Sequence, residues 1–170
     1  MARTRARLLA EAVDRLAIKR PGRPVAEVRG REEKPPRTFF DTNVLVYAED
    51  SREPEKRKTA LALILEHRRR RTGVVSLQVL QEFFVTATLK LKLDPVLARE
   101  KVEFHARFQV VEPAVADILA AIDFHRLYRV SYWDALVLHS ARQSGCSVLL
   151  TEDMQDGQIV DGVRIVNPFI

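Results

Sequence analysis

The chain has 170 residues, 46% of them hydrophobic and 30% charged, enough for one domain with a buried core. No apolar run approaches the roughly 20 residues of a membrane span. The basic start MARTRARLLAEAVDRLAIKR is interrupted by acids, with no apolar stretch behind it, and is not read as a secretory signal.

The net charge of +5 is unevenly spread. Residues 1–37 hold 11 Lys/Arg against 5 Asp/Glu, a net of +6, while the other 133 hold 17 against 18, a net of −1. A pI near 9.7 therefore describes an N-terminal extension. The rest of the chain has to meet a polyanion through local clusters such as His67–Arg71, or through a metal. A single cysteine, Cys146, cannot form an internal disulfide and suits a reducing cytoplasm. Within CSVLLT it reads as a small packed hydrophobe.

In chain order, residues 4–19 predict a short helix. Residues 20–37, with Pro21, Gly22, Pro24, Gly30, Pro35 and Pro36, predict a linker without regular structure. From Thr38 to Ile170 the texture is that of a domain. Thr38–Asp41 reads as the end of a buried strand, and a helix begins at Val44. Glu55–Arg69 predicts a helix with Leu61, Ile64, Leu65 and Arg68 on one face. Gly73 breaks the chain before a short strand at Val74–Val75. Ser76 caps a helix running to Lys90, with Leu77, Leu80, Phe84 and Ala87 as its buried stripe. A helix follows from Pro95 to about Arg107, then a strand at Gln109–Val111 and a helix over Ala114–Tyr128. Ser131 opens a last helix that Gly145 terminates, with Tyr132 and Trp133 read as packing residues at its start. Cys146–Thr151 and Val163–Val166 complete the strands. The alternation predicts an α/β domain with a mostly parallel sheet.

Four acids recur where chemistry is expected: Asp41 in FFDTNVLVYAED, Glu82 in SLQVLQEFF, Asp134 in SYWDALVLHSAR and Asp153 in VLLTEDMQDG. In such sheets ligands sit beyond the carboxyl ends of strands. Asp41 and Asp153 follow strands, and right-handed crossovers bring the other two toward the same end. Each acid also has a structural reading. Ser131-x-x-Asp134 resembles a capping box, Asp41 can cap the helix it precedes, and Asp153 can shape the turn before Gly157. Glu82 is set among apolar neighbours and needs a partner or a metal. Oxygen ligands suit a hard cation. His67, His105, His125 and His139 have no paired ligand spacing, which argues against zinc. There is no GxSxG elbow and no phosphate-binding glycine loop.

These four blocks, in order and at this spacing, resemble the PIN domain over Thr38–Ile170, and within it the VapC-type toxins of toxin–antitoxin pairs. The resemblance implies a three-layer α/β/α domain with a mostly parallel central sheet, to which residues 1–37 are a basic addition. It implies a Mg²⁺- or Mn²⁺-dependent endoribonuclease in which Asp41, Glu82, Asp134 and Asp153 form the catalytic and metal-binding cluster, with Asp41 and Asp134 closest to the ion. Asn43 matches the polar position supporting the first acid, and Thr151 the hydroxyl preceding the fourth. Products with a 5′-phosphate and a 3′-hydroxyl, an RNA substrate, an antitoxin partner, a homodimer and a cytoplasmic, non-membrane setting are implied in the same way. The alternative is a catalytically silent PIN-like module that binds RNA or protein.

Overall fold

The computed structural model describes residues 36–170. The helix expected over 4–19 and nearly all of the linker expected over 20–37 lie outside them. The elements are β1 (Arg37–Phe40), α1 (Thr42–Tyr47), α2 (Pro54–Arg70), β2 (Gly73–Ser76), α3 (Leu77–Leu89), α4 (Pro95–His105), β3 (Gln109–Val111), α5 (Val115–Tyr128), α6 (Tyr132–Gln143), β4 (Cys146–Leu150), β5 (Ile159–Val160) and β6 (Val163–Val166). No helix among the described residues is long and apolar enough to cross a membrane.

The sheet order is β3-β2-β1-β4-β6-β5. Every pairing is parallel except β5 with β6. Strands buried on both faces should carry apolar residues in succession rather than alternately. Phe39 and Phe40 of β1, and Val74 and Val75 of β2, are fully or almost fully buried. Helices pack in two groups, α1 with α2 and α3 and α3 with α4 in one, α5 with α6 in the other. This is the α/β/α layering. The main core joins the strands to Val44, Leu45, Ile64, Val79, Phe83, Val137 and Leu138. A second small cluster, Ala121, Ala135 and Leu136, lies between α5 and α6.

Several local expectations are corrected. The buried stripe of α3 is Val79, Leu80, Phe83 and Ala87, with Gln78 also covered; Leu77 and Phe84 face outward at 43% and 38% exposure. On α2 the inward residues are Ala60 and Ile64, and Leu65 is largely exposed. In both cases the spacing is right and the phase is displaced, because apolar residues cover more than one face of each helix. Gly73 opens β2 rather than ending an element. A Cβ there would lie 2.6–2.9 Å from the Phe108 ring, which stacks on Phe40 with centroids 5.1 Å apart. Tyr132 packs against the small cluster, but Trp133 is exposed. β5, paired antiparallel to the expected strand β6, is an addition to the expected strands.

The order of strands places the site. From β1 the chain moves outward through β2 to β3, then returns to the other side of β1 to form β4. The switch point therefore lies between β1 and β4, where a crevice opens beyond their carboxyl ends. Asp41 directly follows β1, and Thr151 directly follows β4. Asp41 N–H donates to Leu150 O at 3.1 Å, so the two strand ends are tied together at the crevice.

Candidate metal centre

Asp41 sits at the floor of this crevice, 7% exposed. It is the N-cap of α1, with Thr42 N–H donating to Oδ1 at 2.6 Å. The capping reading is thus realised, but it uses only one oxygen. Thr151 Oγ1, itself fully buried, donates to Oδ2 at 2.7 Å. Burial pushes Asp41 up from 3.8 to about 6; the Thr151 and Thr42 bonds pull it down, and the charges of Asp153 and Glu82 push it further up.

Asn43 joins the first and fourth acids. Its Nδ2 lies 3.4 Å from Asp41 Oδ2, 3.1 Å from Thr151 Oγ1 and 3.0 Å from Asp153 Oδ2. Thr151 Oγ1 also accepts from Asp153 N–H at 3.2 Å. Asn43 Oδ1 is buried with no hydrogen-bond partner.

Glu82 is held from two sides, by Thr42 Oγ1 at 2.9 Å and Gln78 Nε2 at 2.8 Å. Thr42 thereby links the carboxylates of Asp41 and Glu82 in a single residue. Sequence reasoning missed both partners. The i, i+4 spacing of Gln78 and Glu82 on one helix face is a usable signal; nothing in the sequence points to Thr42.

Asp134 lies in the first turn of α6, whose N-cap Ser131 accepts from Asp134 N–H at 3.1 Å. Among the described residues the Asp134 carboxylate makes no hydrogen bond, so only half of the expected capping box is present. It is not bonded to the other three acids; it meets Asp153 across a shared cavity of about 330 Å³. Beside Asp153, Glu152 accepts from Lys56 Nζ at 2.6 Å and from Tyr47 Oη, bracing the loop after β4.

The histidines are otherwise engaged. His105 is buried against Phe83 and Phe104, and burial lowers it to about 4. His139 bonds Asp117 at 3.0 Å, and His125 bonds Val130 O.

The donor set is all oxygen. No Lys or Arg pairs with any of the four acids among the described residues. The charges of Asp153 and Glu82 raise the Asp41 pKa, and a cation would relieve both that repulsion and the desolvation of Asp41. Buried Asn43 Oδ1 adds an unsatisfied acceptor. Among the described residues no three His, Cys, Asp or Glu side chains stand ready to share one ion directly. The all-oxygen donor set suits a hard divalent ion such as Mg²⁺ or Mn²⁺, which keeps several waters and needs only one or two carboxylates bound directly.

The sequence pattern of the PIN domain matches residues 38–155. Nothing among curated proteins matches the chain. A toxin–antitoxin complex from Klebsiella pneumoniae is similar at TM-score 0.56 and 19% identity, covering 78% of this chain and 98% of that one. The sarcin-ricin loop cleaving toxin VapC20 from Mycobacterium tuberculosis is similar at TM-score 0.52 and 15% identity, covering 66% and 86%. DNA-bound VapBC from Salmonella typhimurium gives TM-score 0.55 and 20% identity, covering 76% and 96%. Such low identities speak for the fold, while the family pattern spans most of the chain from the first acid to the fourth. The chain belongs to the PIN domain family.

Proposed function

We propose that this PIN domain is a Mg²⁺- or Mn²⁺-dependent endoribonuclease, acting as the toxin of a toxin–antitoxin pair. The observation that carries the reading is the bonding around Asp41. One buried carboxylate is oriented by Thr42, Thr151 and Asn43, which in turn hold Glu82 and Asp153 beside it. Capping a six-residue helix needs none of that second layer.

A bound divalent ion would supply Lewis-acid charge and a water of lowered pKa. The chain's own residues do the rest. Asp41 presents its charge in a fixed direction, because the Thr42 N–H, the Thr151 hydroxyl and the Asn43 amide all donate to it. Asn43 donates to the Asp153 carboxylate and Thr151 accepts from its backbone N–H, which fixes the acid beside Asp41. Glu82, gripped on both oxygens, cannot fold back along α3. Asp134 lines a cavity with Asp153, and its oxygens are uncommitted among the described residues, which would suit it to bind an ion or hold an attacking water. Asp41 and Asp134 are the closest ligands in this reading; Glu82 and Asp153 act at longer range. The fold shared with toxin–antitoxin structures supports the toxin role and the antitoxin partner; the homodimer is carried by the family resemblance alone.

The test is cleavage of single-stranded RNA with Mg²⁺, with Mn²⁺ and with chelator. Metal-dependent products bearing 5′-phosphates, lost in Asp41→Asn and Asp134→Asn variants that still fold, are expected. Activity that persists in chelator or in both variants would rule the mechanism out.

A further inference from the structure

Asp153 lines two cavities of similar size and unlike character. The first, about 330 Å³, carries Asp134 and Asp153 together with Phe124, Tyr128, Gln155 and Gln158, and no Lys or Arg lines it. The second, about 350 Å³, shares Asp153 and carries Asp50, Glu152, Arg52 and Lys90 beside Thr42 and Asn43, with Glu152 paired to Lys56. Arg52 is clamped onto Asp50 at 2.8 and 2.7 Å. Lys90 has no carboxylate partner among the described residues.

A phosphodiester in the first cavity meets no Lys or Arg; its only attraction there would be to an ion held at Asp134 and Asp153. A neutral aromatic group meets a different surface. The Phe124 and Tyr128 rings overlap with centroids 4.2 Å apart and planes 30° from parallel, and Tyr128 is 52% exposed. Unpaired bases stack on such faces. Gln155 and Gln158 make no side-chain hydrogen bond among the described residues. A free amide offers a donor and an acceptor side by side, which matches the edge of a base. The volume lies at the small end of ligand sites, room for one base rather than a run of nucleotides.

We propose that the cavity of Phe124, Tyr128, Gln155 and Gln158 seats one unpaired nucleobase of single-stranded RNA, next to the phosphate that faces the acids, and sets the base preference of the site. The backbone continues over the Lys90 side. This inference rests on the nuclease reading for its substrate, and on the contrast between the cavities for its location.

The test uses the full chain and a pool of single-stranded RNA oligonucleotides randomised at six positions, cleaved with Mn²⁺ and read by end sequencing. Gln155 and Gln158 are exposed, so a Gln155→Ala/Gln158→Ala double variant should fold. Its preference at one nucleotide flanking the cut should fall about fivefold or more, the low end for a two-point amide–base pairing. Cleavage of the least favoured sequences should stay within about twofold, since they make no such pairing in the wild type. Lys90→Ala should slow all sequences alike and leave the preference intact. An unchanged preference in the double variant, or an equal loss on every sequence, overturns the base cavity while the nuclease reading stands. If the wild type does not cleave, affinities for the same oligonucleotides decide. Base-dependent binding abolished by the double variant supports the cavity without the nuclease, and absence of RNA binding overturns both.

Discussion

At the scale of single residues, Asp41 is the group whose surroundings conflict most with its charge. Its folded value of about 6 exceeds the ordinary 3.8, chiefly through burial. Between those two values the folded chain holds a proton that the unfolded chain has released. The stabilising contribution is therefore complete below pH 3.8 and lost as pH rises through 6. Asp41→Asn should then be more stable than wild type at pH 7.5 in chelator, by about 3 kcal/mol at most. The advantage should vanish at pH 3.5. Urea midpoints of both proteins at the two pH values check this. His105, depressed by burial, acts with the opposite sign but is common to both proteins and cancels in the difference. The kinds of residue in the candidate site are legible in the sequence, because an aspartate after a buried strand and a glutamate in an apolar helix each need an explanation. Their hydrogen bonds are not: Thr42 meets Glu82 across 40 positions of sequence, and Asn43 meets Asp153 across 110.

Individual elements show where local rules suffice. The start of α3 is readable directly from Ser76, whose Oγ accepts from Val79 N–H at 3.2 Å in a fully buried setting. Ser76→Ala should cost about 1 kcal/mol and lower the melting temperature by roughly 2–4 °C for a chain of this size. Ser76→Thr should restore much of it, which a thermal unfolding series of the three proteins would decide. The rotation of α3 is not readable in the same way, since Leu77, Val79, Leu80, Phe83, Phe84 and Val85 offer two competing stripes. Only the neighbouring α1 and α4 choose between them. The β5–β6 hairpin does have a signal: Val160-Asp161-Gly162-Val163 places φ of 48° and 84° at its two central residues, a turn for which Asp-Gly is favoured. A two-residue strand is too short to stand out by alternation.

For the whole molecule, charge is segregated. Residues 1–37 carry +6 and the remainder −1, while the crevice concentrates carboxylates. Sequence-independent attraction for RNA should therefore come mainly from the N-terminal residues. Deleting residues 1–35 should weaken RNA binding and flatten its salt dependence, by roughly 0.7 in log–log slope for each phosphate of a single strand that is no longer neutralised. Single-turnover cleavage at saturating RNA should persist. Affinities across a salt series and single-turnover rates of both proteins check the two halves. Equal slopes would deny the segment any electrostatic role, and a truncated protein unable to cleave in a single turnover would extend the catalytic domain upstream of Thr38.

The separate small cluster between α5 and α6 has a consequence for how the molecule opens. Asp41, Thr151 and Asn43 are fastened to the paired ends of β1 and β4, whereas Phe124 and Tyr128 ride on α5, whose sole fully buried residue is Ala121. Amide hydrogens in helices with little buried surface exchange through local opening far below the global unfolding energy. The amides of α5 should therefore exchange with deuterium well before those of β1 and β4, in a fluctuation that dismantles one cavity wall and leaves the acids assembled. Mass-resolved exchange of backbone peptides would reveal that order, and slow exchange throughout α5 would contradict it. A molecule built this way can lose and regain its grip on a ligand many times in the life of one folded state.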